Sequence, residues 1–418
     1  MEKILVQGGQ PLSGEVKISG AKNAVLPIMA ATLLANDKSI LTNVPNLKDV
    51  ATMAQVLHRL GAHVELAQEG QLEVDTGAVS GFVAHYDLVK TMRASFLVFG
   101  SLLARFGMAK VALPGGCAIG SRPIDLHLKG FEELGGLVRV GQGYVEARTS
   151  NLKGAQIHLD FPSVGATENI MMAATLADGK TRIHNVACEP EVIELANFLN
   201  HMGARVSGAG GPVIEIEGAY ELHGANYEVI PDRIEAGTYM VAAAITRGEV
   251  EIKSCNLDHL EAVVTKLEEA GVEIEPQLDG ARVRVQGELK PVNVKTLPYP
   301  GFPTDMQAQV MALMAVTPGS SIITETIFEN RFMHVGELNR MGADIRIEGH
   351  SAIVKGVKYL SGVQVMATDL RASVALLLAG LIAEGQTEIS HIYHLDRGYE
   401  RIEEKLANLG AKIQRVKE

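Results

Sequence analysis

The segment LHRLGAHVEL, residues 57–66, decides the fold, because the chain repeats its pattern five more times. The other copies are FEELGGLVRV (131–140), FLNHMGARVS (198–207), KLEEAGVEIE (266–275), ELNRMGADIRIE (337–348) and KLANLGAKIQRV (405–416). Each copy is typical of a helix end, a glycine turn and a strand. The glycine suits the position just past a helix, where other residues adopt the left-handed conformation only at a cost. Because the copies lie about 70 residues apart, the chain is predicted to contain six similar units.

Two further elements accompany each copy. Helices of small apolar residues precede it, as in LPIMAATLLA (26–35) and ALLLAGLIAEG (375–385). A helix that is apolar almost all round is buried on most sides. Each unit also contains a strand that follows a turn, as in LSGEVKIS (12–19) and LKGAQIHL (152–159). The repeat therefore reads β-α-β-α-β-β and predicts an α/β fold.

The two chain ends are predicted to complete one another. The sixth unit stops at residue 418 without the returning strand of the other units, and KILVQG (3–8) resembles that strand. Units one to three would then form one domain, residues 21–229. Units four to six would form the other, residues 1–20 plus 230–418. The alternative is a continuous solenoid.

The net charge, the apolar runs and the cysteines of the chain argue against some classes of function. The net charge of −11 argues against nucleic acid as the main partner, whereas an anionic small molecule would need a local cluster of Lys and Arg. The chain starts without a signal-peptide pattern, and its most apolar run (372–383) is shorter than the roughly 20 residues of a membrane helix. The 3 cysteines have no paired spacing, which favours a reducing compartment. A cytoplasmic protein is expected.

Six polar loops are candidates for the chemistry, since each leads from a strand into one of the apolar helices. The unpaired N–H groups at a helix start favour phosphate or carboxylate. The polar residues in these loops are Lys22, Asn23, Arg93, Ser163, Arg233, Asp305, Asp369 and Arg371. Helix capping alone would account for Ser163 and Asp369. The cations are harder to explain in that way, because a helix start needs an acceptor.

The glycine-rich segment LPGGCAIGSRPIDLHLKG, residues 113–130, differs from the rest of the chain. Glycines surround Cys117, and regular structure is unfavourable there, so a mobile loop at about 112–123 is predicted. Cys117 is the candidate reactive thiol, while Cys188 and Cys255 are interpreted as inert. The segment is not a phosphate-binding Walker A loop, because Ser and Arg follow Gly120. No metal-ligand spacing or nucleotide-cofactor motif is present in the sequence, so no metal and no cofactor are expected.

Nine ordered motifs resemble those of the UDP-N-acetylglucosamine 1-carboxyvinyltransferases, a family of enolpyruvyl transferases. They are SGAKNA (19–24), LVKTMRAS (88–95), LPGGCAIGSRPIDLH (113–127), PSVGAT (162–167), IPDRIEAGT (230–238), FPTDMQAQ (302–309), ENRFMH (329–334), ATDLRAS (367–373) and HLDRGYERIE (394–403). The resemblance spans essentially the whole chain. It implies two inside-out α/β barrel domains, each of three β-α-β-α-β-β repeats, and an open-to-closed transition in which the Cys117 loop covers the cleft.

The resemblance also implies roles for individual residues. Lys22, Arg122 and Arg397 resemble the residues that grip the phosphate and carboxylate of phosphoenolpyruvate. Positions matching UDP-sugar contacts or cleft motifs are Asn23, Arg93, Arg122, Pro123, Ile124, Asp125, Leu126, Ser163, Val164, Gly165, Asp305, Ile327, Arg331, Asp369 and Arg371. Phe161 is a departure, because some members carry Lys there. An ionic contact with the diphosphate from that position would be lost.

The implied reaction moves the enolpyruvyl group of phosphoenolpyruvate to the 3′-hydroxyl of UDP-N-acetylglucosamine, the first committed step of peptidoglycan synthesis. Cys117 is expected to protonate C3, with Asp305 accepting the hydroxyl proton and Lys22 and Arg397 assisting catalysis. Covalent inactivation by the epoxide fosfomycin at Cys117 is also expected. Both substrates are small molecules, and a monomer would suffice. The alternatives are transfer to shikimate 3-phosphate and a non-catalytic scaffold built on the same repeat.

Overall fold

The computed structural model describes residues 2–68, 70–90, 92–113 and 124–417. The strands are β1 (Glu2–Gln7), β2 (Ser13–Lys17), β3 (Lys38–Thr42), β4 (His63–Gln68), β5 (Gln71–Asp75), β6 (Val83–Ala84), β7 (Met108–Ala112), β8 (Leu137–Gly141), β9 (Tyr144–Arg148), β10 (Gln156–His158), β11 (Lys180–His184), β12 (Arg205–Ser207), β13 (Val213–Glu217), β14 (Asn226–Glu228), β15 (Glu249–Lys253), β16 (Glu273–Gln277), β17 (Gly280–Arg284), β18 (Val294–Lys295), β19 (Ser320–Thr324), β20 (Asp344–Glu348), β21 (Ser351–Lys355), β22 (Gln364–Met366), β23 (Gln386–Ser390) and β24 (Lys412–Lys417). The α-helices are α1 (Lys22–Ala31), α2 (Lys48–Leu60), α3 (Tyr86–Val89), α4 (Val98–Phe106), α5 (Asp125–Glu133), α6 (Val164–Ala174), α7 (Pro190–His201), α8 (Arg233–Ile245), α9 (Glu261–Glu269), α10 (Gln307–Met314), α11 (His334–Arg340), α12 (Leu370–Gly380) and α13 (Ile402–Asn408). Short 3-10 helices cover Thr32–Leu34, Arg93–Leu97, Leu257–Leu260, Thr304–Met306 and Ile392–Arg397.

The strands form sheets of four, all built on one plan. In each sheet an outer strand pairs in parallel with a second strand, which is followed by two antiparallel neighbours. The strand orders are β14-β3-β5-β4, β6-β7-β9-β8, β10-β11-β13-β12, β2-β15-β17-β16, β18-β19-β21-β20 and β22-β23-β1-β24. The predicted α/β fold of six β-α-β-α-β-β units is confirmed.

Strand β1 supplies the strand that the sixth unit lacks. It lies between β23 and β24 and pairs antiparallel with both, with Ile4 opposite Ile389 and Arg415. Ile4 and Val6 are fully buried, so the strand contributes to the core as well as to the sheet. The prediction that the N-terminus completes the last unit is confirmed.

Units one and four exchange their first strands, so that each of these strands pairs in the sheet of the other unit. Strand β2 pairs in parallel with β15, and β14 pairs in parallel with β3. Each exchanged strand is therefore more than a hundred residues from its partner in sequence. Because of this exchange, the chain passes from one set of sheets to the other at residues 19–20 and again at 230–231.

The described residues form two compact units. The first unit contains residues 20–113 and 124–230, and the second contains residues 2–19 and 231–417. In the first unit three sheets surround the apolar helices α1, α4 and α6, which pack against one another. In the second unit α8, α10 and α12 take the same place. Helix α8 is buried along its length from Ile234 to Ile245, as its small apolar residues predict.

The six repeat glycines take the conformation that their position predicts. Gly61, Gly135, Gly203, Gly271, Gly342 and Gly410 all have φ between +91° and +105°. Any other residue would be strained at this turn. Each turn ends the second helix of a unit (α2, α5, α7, α9, α11 or α13) and sends the chain into a strand, whereas the polar loops precede the first, buried helix of each unit.

The two chain passages are held together by hydrogen bonds within the first unit. The backbone N–H of Ala21 donates to the carbonyl of Ile230 (2.7 Å), and the N–H of Ile230 donates to the carboxylate of Glu194 (3.1 Å). Gly20 must lack a side chain, because a β-carbon there would collide with the carbonyl oxygen of Asn43. Glu194 on α7 is only 5% exposed, so a carboxyl group is buried beside the passage.

Stability of the first unit is expected to depend on pH through Glu194. Burial raises the pKa of Glu194 from 4.5 to about 7, and nearby Glu191 acts in the same direction. The folded state therefore binds more protons than the unfolded state between these values, and stability falls as pH rises through this window. The change is at most about 3 kcal/mol. In thermal unfolding at pH 5 and pH 8, Glu194→Gln should reduce the difference between the two midpoints.

The matched control for this prediction is Glu217→Gln. The Glu217 side chain is 49% exposed and pairs with Arg205 on the surface of the same unit. Its replacement should leave the pH dependence of the unfolding midpoint as in the wild type. An unchanged pH dependence in Glu194→Gln would show that Glu194 does not couple protonation to folding.

Candidate active site

In the first unit, the start of α6 is built by Ser163. Its hydroxyl oxygen accepts the backbone N–H of Ala166 (3.4 Å), which makes Ser163 the N-cap of the helix. Val164 and Gly165 form the first turn, and both residues are half-buried. The capping interpretation of Ser163 is confirmed. The first N–H groups of a helix have no acceptor within the helix, so a helix start of this kind suits an anionic oxygen.

Lys22 is the first residue of α1 and is paired with a carboxylate. Its ammonium nitrogen lies 3.7 Å from the carboxylate of Asp49, in the first turn of α2. The two side chains are 12% and 6% exposed. Asn23 follows in the same helix turn and is half-buried. Asp49 therefore orients a largely buried cation at the start of α1, and this partner explains why the sequence can hold Lys22 there.

His127 joins α5, α6 and the short helix that begins at Arg93. Its Nδ1 lies 3.2 Å from the amide nitrogen of Asn169, which also donates to the carbonyl of Phe96 (3.0 Å). An amide nitrogen can only donate, so Nδ1 accepts and the proton of the neutral ring is on Nε2. Burial lowers the pKa of His127 to about 3, and the charge of Arg93 contributes. His127 thus stays neutral while it packs beside a cation.

The residues around 124–126 and Phe161 lie at the surface of the first unit. Ile124 and Leu126 pack against its core, whereas Asp125, the first residue of α5, is exposed. The Phe161 side chain is 45% exposed. An aromatic ring so exposed is not required by the core.

The second unit contains a compact, largely buried group of charges around Asp305. The two carboxylate oxygens of Asp305 each accept a hydrogen bond from a different arginine, Arg331 at 2.7 Å and Arg371 at 2.7 Å. The arginine side chains are 6% and 4% exposed, while Asp305 is 25% exposed. A carboxylate held by two buried guanidinium groups is fixed in orientation.

Arg371 is fixed from its other side by buried polar groups. It donates to the hydroxyl of Tyr399 (3.1 Å), which is 2.9 Å from the hydroxyl of Thr238. The side-chain amide of Gln309 donates to the carbonyl of Asp305 (2.7 Å) and lies 3.3 Å from the Tyr399 hydroxyl. Burial by itself would lower the pKa of Arg371, but Asp305 and Tyr399 outweigh it and raise the pKa. We call Asp305, Arg331, Arg371 and Tyr399 the Asp305 cluster.

Asp369 and Arg397 are two further predicted site residues, and each lies at a helix end. In the sequence, each is two residues from a member of the Asp305 cluster, Arg371 or Tyr399. The carboxylate of Asp369 accepts the backbone N–H groups of Arg371 (2.8 Å) and Ala372 (3.0 Å), so the capping interpretation of Asp369 is confirmed. Arg397 is the last residue of the short helix Ile392–Arg397. Its neighbour Asp396 is bound by Arg415 on β24 (2.6 Å), which anchors that helix to the sheet.

The structure thus groups the predicted residues by unit. Lys22, Asn23, Arg93, Ile124, Asp125, Leu126, Phe161, Ser163, Val164 and Gly165 belong to the first unit, and Asp305, Ile327, Arg331, Asp369, Arg371 and Arg397 to the second. Cys117, Arg122 and Pro123 lie outside the described residues.

Sequence reasoning missed the polar groups that hold the Asp305 cluster. Thr238 lies on α8, Gln309 on α10 and Tyr399 in the loop before α13, so their shared network depends on how these parts pack. A signal existed for Gln309, since it and Gln307 are the two buried amides of a helix whose other residues are apolar. Such a residue requires partners. Glu325, a buried carboxylate directly after β19, was missed as well.

Two kinds of feature are absent from the described part of the chain. In residues 2–68, 70–90, 92–113 and 124–417, no group of three or more His, Cys, Asp or Glu side chains is placed to hold a metal ion. Within the same ranges, no helix combines the length and the apolar character needed to cross a bilayer.

Known proteins match this chain over nearly its whole length. The family model described as EPSP synthase (3-phosphoshikimate 1-carboxyvinyltransferase) matches residues 6–406. UDP-N-acetylglucosamine 1-carboxyvinyltransferase 2 of Carboxydothermus hydrogenoformans is 59% identical over 418 residues, covering 100% of both chains. UDP-N-acetylglucosamine 1-carboxyvinyltransferase 1 of Caldanaerobacter subterraneus is 60% identical over 413 residues, covering 99% of both.

Solved structures agree with these sequence matches. The enolpyruvyl transferase NikO from Streptomyces tendae superposes with a TM-score of 0.89 at 25% identity, covering 99% of both chains. EPSP synthase from Acinetobacter baumannii, at 20% identity and a TM-score of 0.77 over 100% of both chains, shares the fold. The chain therefore belongs to the family of the UDP-N-acetylglucosamine 1-carboxyvinyltransferases, within the enolpyruvyl transferases.

Proposed function

We propose that this enzyme transfers the enolpyruvyl group of phosphoenolpyruvate to the 3′-hydroxyl of UDP-N-acetylglucosamine and releases phosphate. The observation that carries the reaction type is the Asp305 carboxylate, oriented by two buried arginines but itself partly exposed. The names of relatives at 59% and 60% identity support the acceptor. The reaction would be the first committed step of peptidoglycan synthesis.

The chemistry requires an acid and a base. An unactivated hydroxyl must add to C2 of phosphoenolpyruvate while C3 takes up a proton, and C2 then resembles an oxocarbenium ion. In the proposal Cys117 protonates C3, and Asp305 accepts the proton of the 3′-hydroxyl as its oxygen bonds to C2. The product is a tetrahedral ketal. Loss of a proton from C3 then expels phosphate and restores the enol ether double bond.

Cations must hold the two anionic groups of phosphoenolpyruvate during these steps. Lys22, Arg122 and Arg397 take this role in the proposal, and the pairing of Lys22 with Asp49 supports it because the ammonium group is fixed at a helix start. The N–H groups at the start of α6, around Ser163, suit a sugar nucleotide oxygen in the same way. All these residues are contained in one chain, so a monomer suffices.

The test is phosphate release from phosphoenolpyruvate, run in parallel with UDP-N-acetylglucosamine and with shikimate 3-phosphate. Release that depends on the UDP-sugar is expected. Release only with shikimate 3-phosphate would keep the reaction type and overturn the acceptor. Absence of release with both acceptors would favour a non-catalytic scaffold.

Fosfomycin is expected to form one covalent adduct, on Cys117. The thiolate is the nucleophile that opens an epoxide. Burial raises the pKa of the Cys255 thiol to about 12, and burial together with Glu189 raises that of Cys188, so these two thiols should not react. After incubation with UDP-N-acetylglucosamine and the drug, intact mass should rise by one adduct and peptide mapping should place it on Cys117. Cys117→Ser is the control and should stay unmodified; an adduct on Cys188 or Cys255 would contradict the assignment.

A further inference from the structure

Glu325 is a buried carboxylate that the reaction scheme does not use. It follows β19 directly and is 1% exposed. Its oxygen Oε1 accepts hydrogen bonds from the hydroxyl of Thr296 (2.8 Å) and the backbone N–H groups of Ile327 (2.8 Å) and Phe328 (3.2 Å). Its other oxygen, Oε2, accepts from the hydroxyl of Thr304 (2.8 Å). Four donors therefore converge on one carboxylate.

The Thr304 hydroxyl connects Glu325 to the Asp305 cluster. Its oxygen accepts a hydrogen bond from Nη1 of Arg331 (3.0 Å). A guanidinium group can only donate, so the hydroxyl proton of Thr304 must point to Glu325. The other terminal nitrogen of Arg331, Nη2, donates to Asp305 (2.7 Å). Arg331 is thus held between two carboxylates, directly by Asp305 and through Thr304 by Glu325.

The opposite side of Glu325 holds the segment that contains Ile327. Its Oε1 binds two consecutive N–H groups there, and the Phe328 ring lies 5.0 Å from the guanidinium carbon of Arg331. Thr296 strengthens the same arrangement, because its hydroxyl oxygen also accepts the N–H of Thr326 (2.9 Å). One side chain therefore fixes both the segment beside the Asp305 cluster and the orientation of Arg331.

A role in stability alone is a poor explanation for this arrangement. Burying a carboxylate is costly, and apolar replacements of buried charged groups are often neutral or stabilising. Glu325 is also one hydroxyl group away from the arginine that orients Asp305. Both carboxylate oxygens of Glu325 accept hydrogen bonds, and buried hydrogen bonds of this kind make a site rigid. A displacement of about 1 Å at a reacting group can cost about 100-fold in rate.

We propose that Glu325 is a positioning residue for the transfer reaction, acting through Thr304 and Arg331 to fix the carboxylate of Asp305. This inference rests on the proposed function, in which Asp305 is the base. Glu325 does not contact substrate in this scheme. The Thr304 hydroxyl carries the effect on Asp305, while the three donors at Oε1 keep the Ile327 segment in place.

Two substitutions remove this connection from opposite ends. In Glu325→Gln the amide oxygen keeps the three donors of Oε1, and the amide N–H₂ faces Thr304 in place of an acceptor. Thr304→Val removes the hydroxyl and keeps the shape of the side chain. Each variant should lower kcat for phosphate release by about 10- to 100-fold. The KM for UDP-N-acetylglucosamine should stay near the wild-type value, because the Ile327 segment is still held.

The double variant Glu325→Gln with Thr304→Val gives the decisive comparison. If both residues act through one connection, the double variant should be no slower than the slower single variant. Thr304→Ser keeps the hydroxyl and should recover most of the kcat. The stability control is Val283→Ala, a fully buried position on β17 in another sheet of the same unit, which should lower the unfolding midpoint without lowering kcat.

The proposal is overturned if the losses in the two single variants multiply in the double variant, if Thr304→Ser is as slow as Thr304→Val, or if kcat stays at the wild-type value. Should Glu325→Gln fail to fold, the comparison of Thr304→Val with Thr304→Ser decides by itself. Failure of the proposed function gives a different result, since the wild-type enzyme would then release no phosphate with UDP-N-acetylglucosamine.

Discussion

Replacing Asp305 with Asn is expected to lower kcat for phosphate release by about 10²- to 10⁴-fold, the usual contribution of a positioned general base. The amide has nearly the shape of the carboxylate but cannot accept a proton from the 3′-hydroxyl. Its N–H₂ group would also face one of the two guanidinium groups, Arg331 or Arg371, which now bind the carboxylate oxygens at 2.7 Å. Steady-state kinetics at saturating phosphoenolpyruvate and UDP-N-acetylglucosamine measure the loss.

Two further variants separate catalysis from folding. Asp344→Asn, on strand β20, is the control for loss of a carboxylate in the same unit and should keep wild-type turnover. Asp305→Ala leaves Arg331 and Arg371 without their shared counter-charge, so it should also lower the free energy of unfolding by about 3–5 kcal/mol. Near wild-type turnover in Asp305→Asn would rule out Asp305 as the base.

Replacing Ile4 with Asp is expected to prevent the second unit from folding. Ile4 is fully buried in the middle of β1, between Ile389 on β23 and Arg415 on β24. The substitution removes a core side chain and buries a charge in its place, a combination that costs about 4 kcal/mol or more. Soluble yield, circular dichroism and the unfolding midpoint measure the effect.

Gln7→Asp is the matched control for the β1 prediction. Gln7 is at the end of the same strand, faces solvent and pairs with Gln386 and Lys412. An exposed charge there should change stability by less than about 0.5 kcal/mol. A folded, fully stable Ile4→Asp variant would mean that the chain ends do not depend on each other for folding.

Much of the fold could be predicted because local patterns encode it. The left-handed turn after a helix tolerates mainly glycine, so six regularly spaced glycines indicate six helix ends, and all six adopt that conformation. Helices that are apolar all round indicate their own burial, and α8 and α12 are buried along almost their whole length. Capping by Ser163 and Asp369 was predictable too, because it involves only neighbours in sequence.

The two crossings of the chain between the domains were predicted from the sequence, but the pairing of β2 with β15 and of β14 with β3 was not. The sequence assigned residues 1–20 and 21–229 to different domains, but it treated all six strand-to-helix loops as equivalent. In the structure two of these loops, at residues 19–20 and 230–231, carry the chain from one set of sheets to the other. A strand pattern does not identify its partner, because parallel pairing is decided by the packing of the sheets.

The sequence by itself determined the repeat, the α/β class, the strand that completes the sixth unit and the identity of most candidate site residues. Only the tertiary structure decided which of these residues share hydrogen bonds. Asp305, Arg331, Arg371 and Tyr399 are spread over almost a hundred residues, and Glu325 reaches Arg331 only through Thr304. Hydrogen bonds between distant side chains depend on distances of a few ångström. Those distances are set by how the helices and strands pack, and sequence spacing does not contain them.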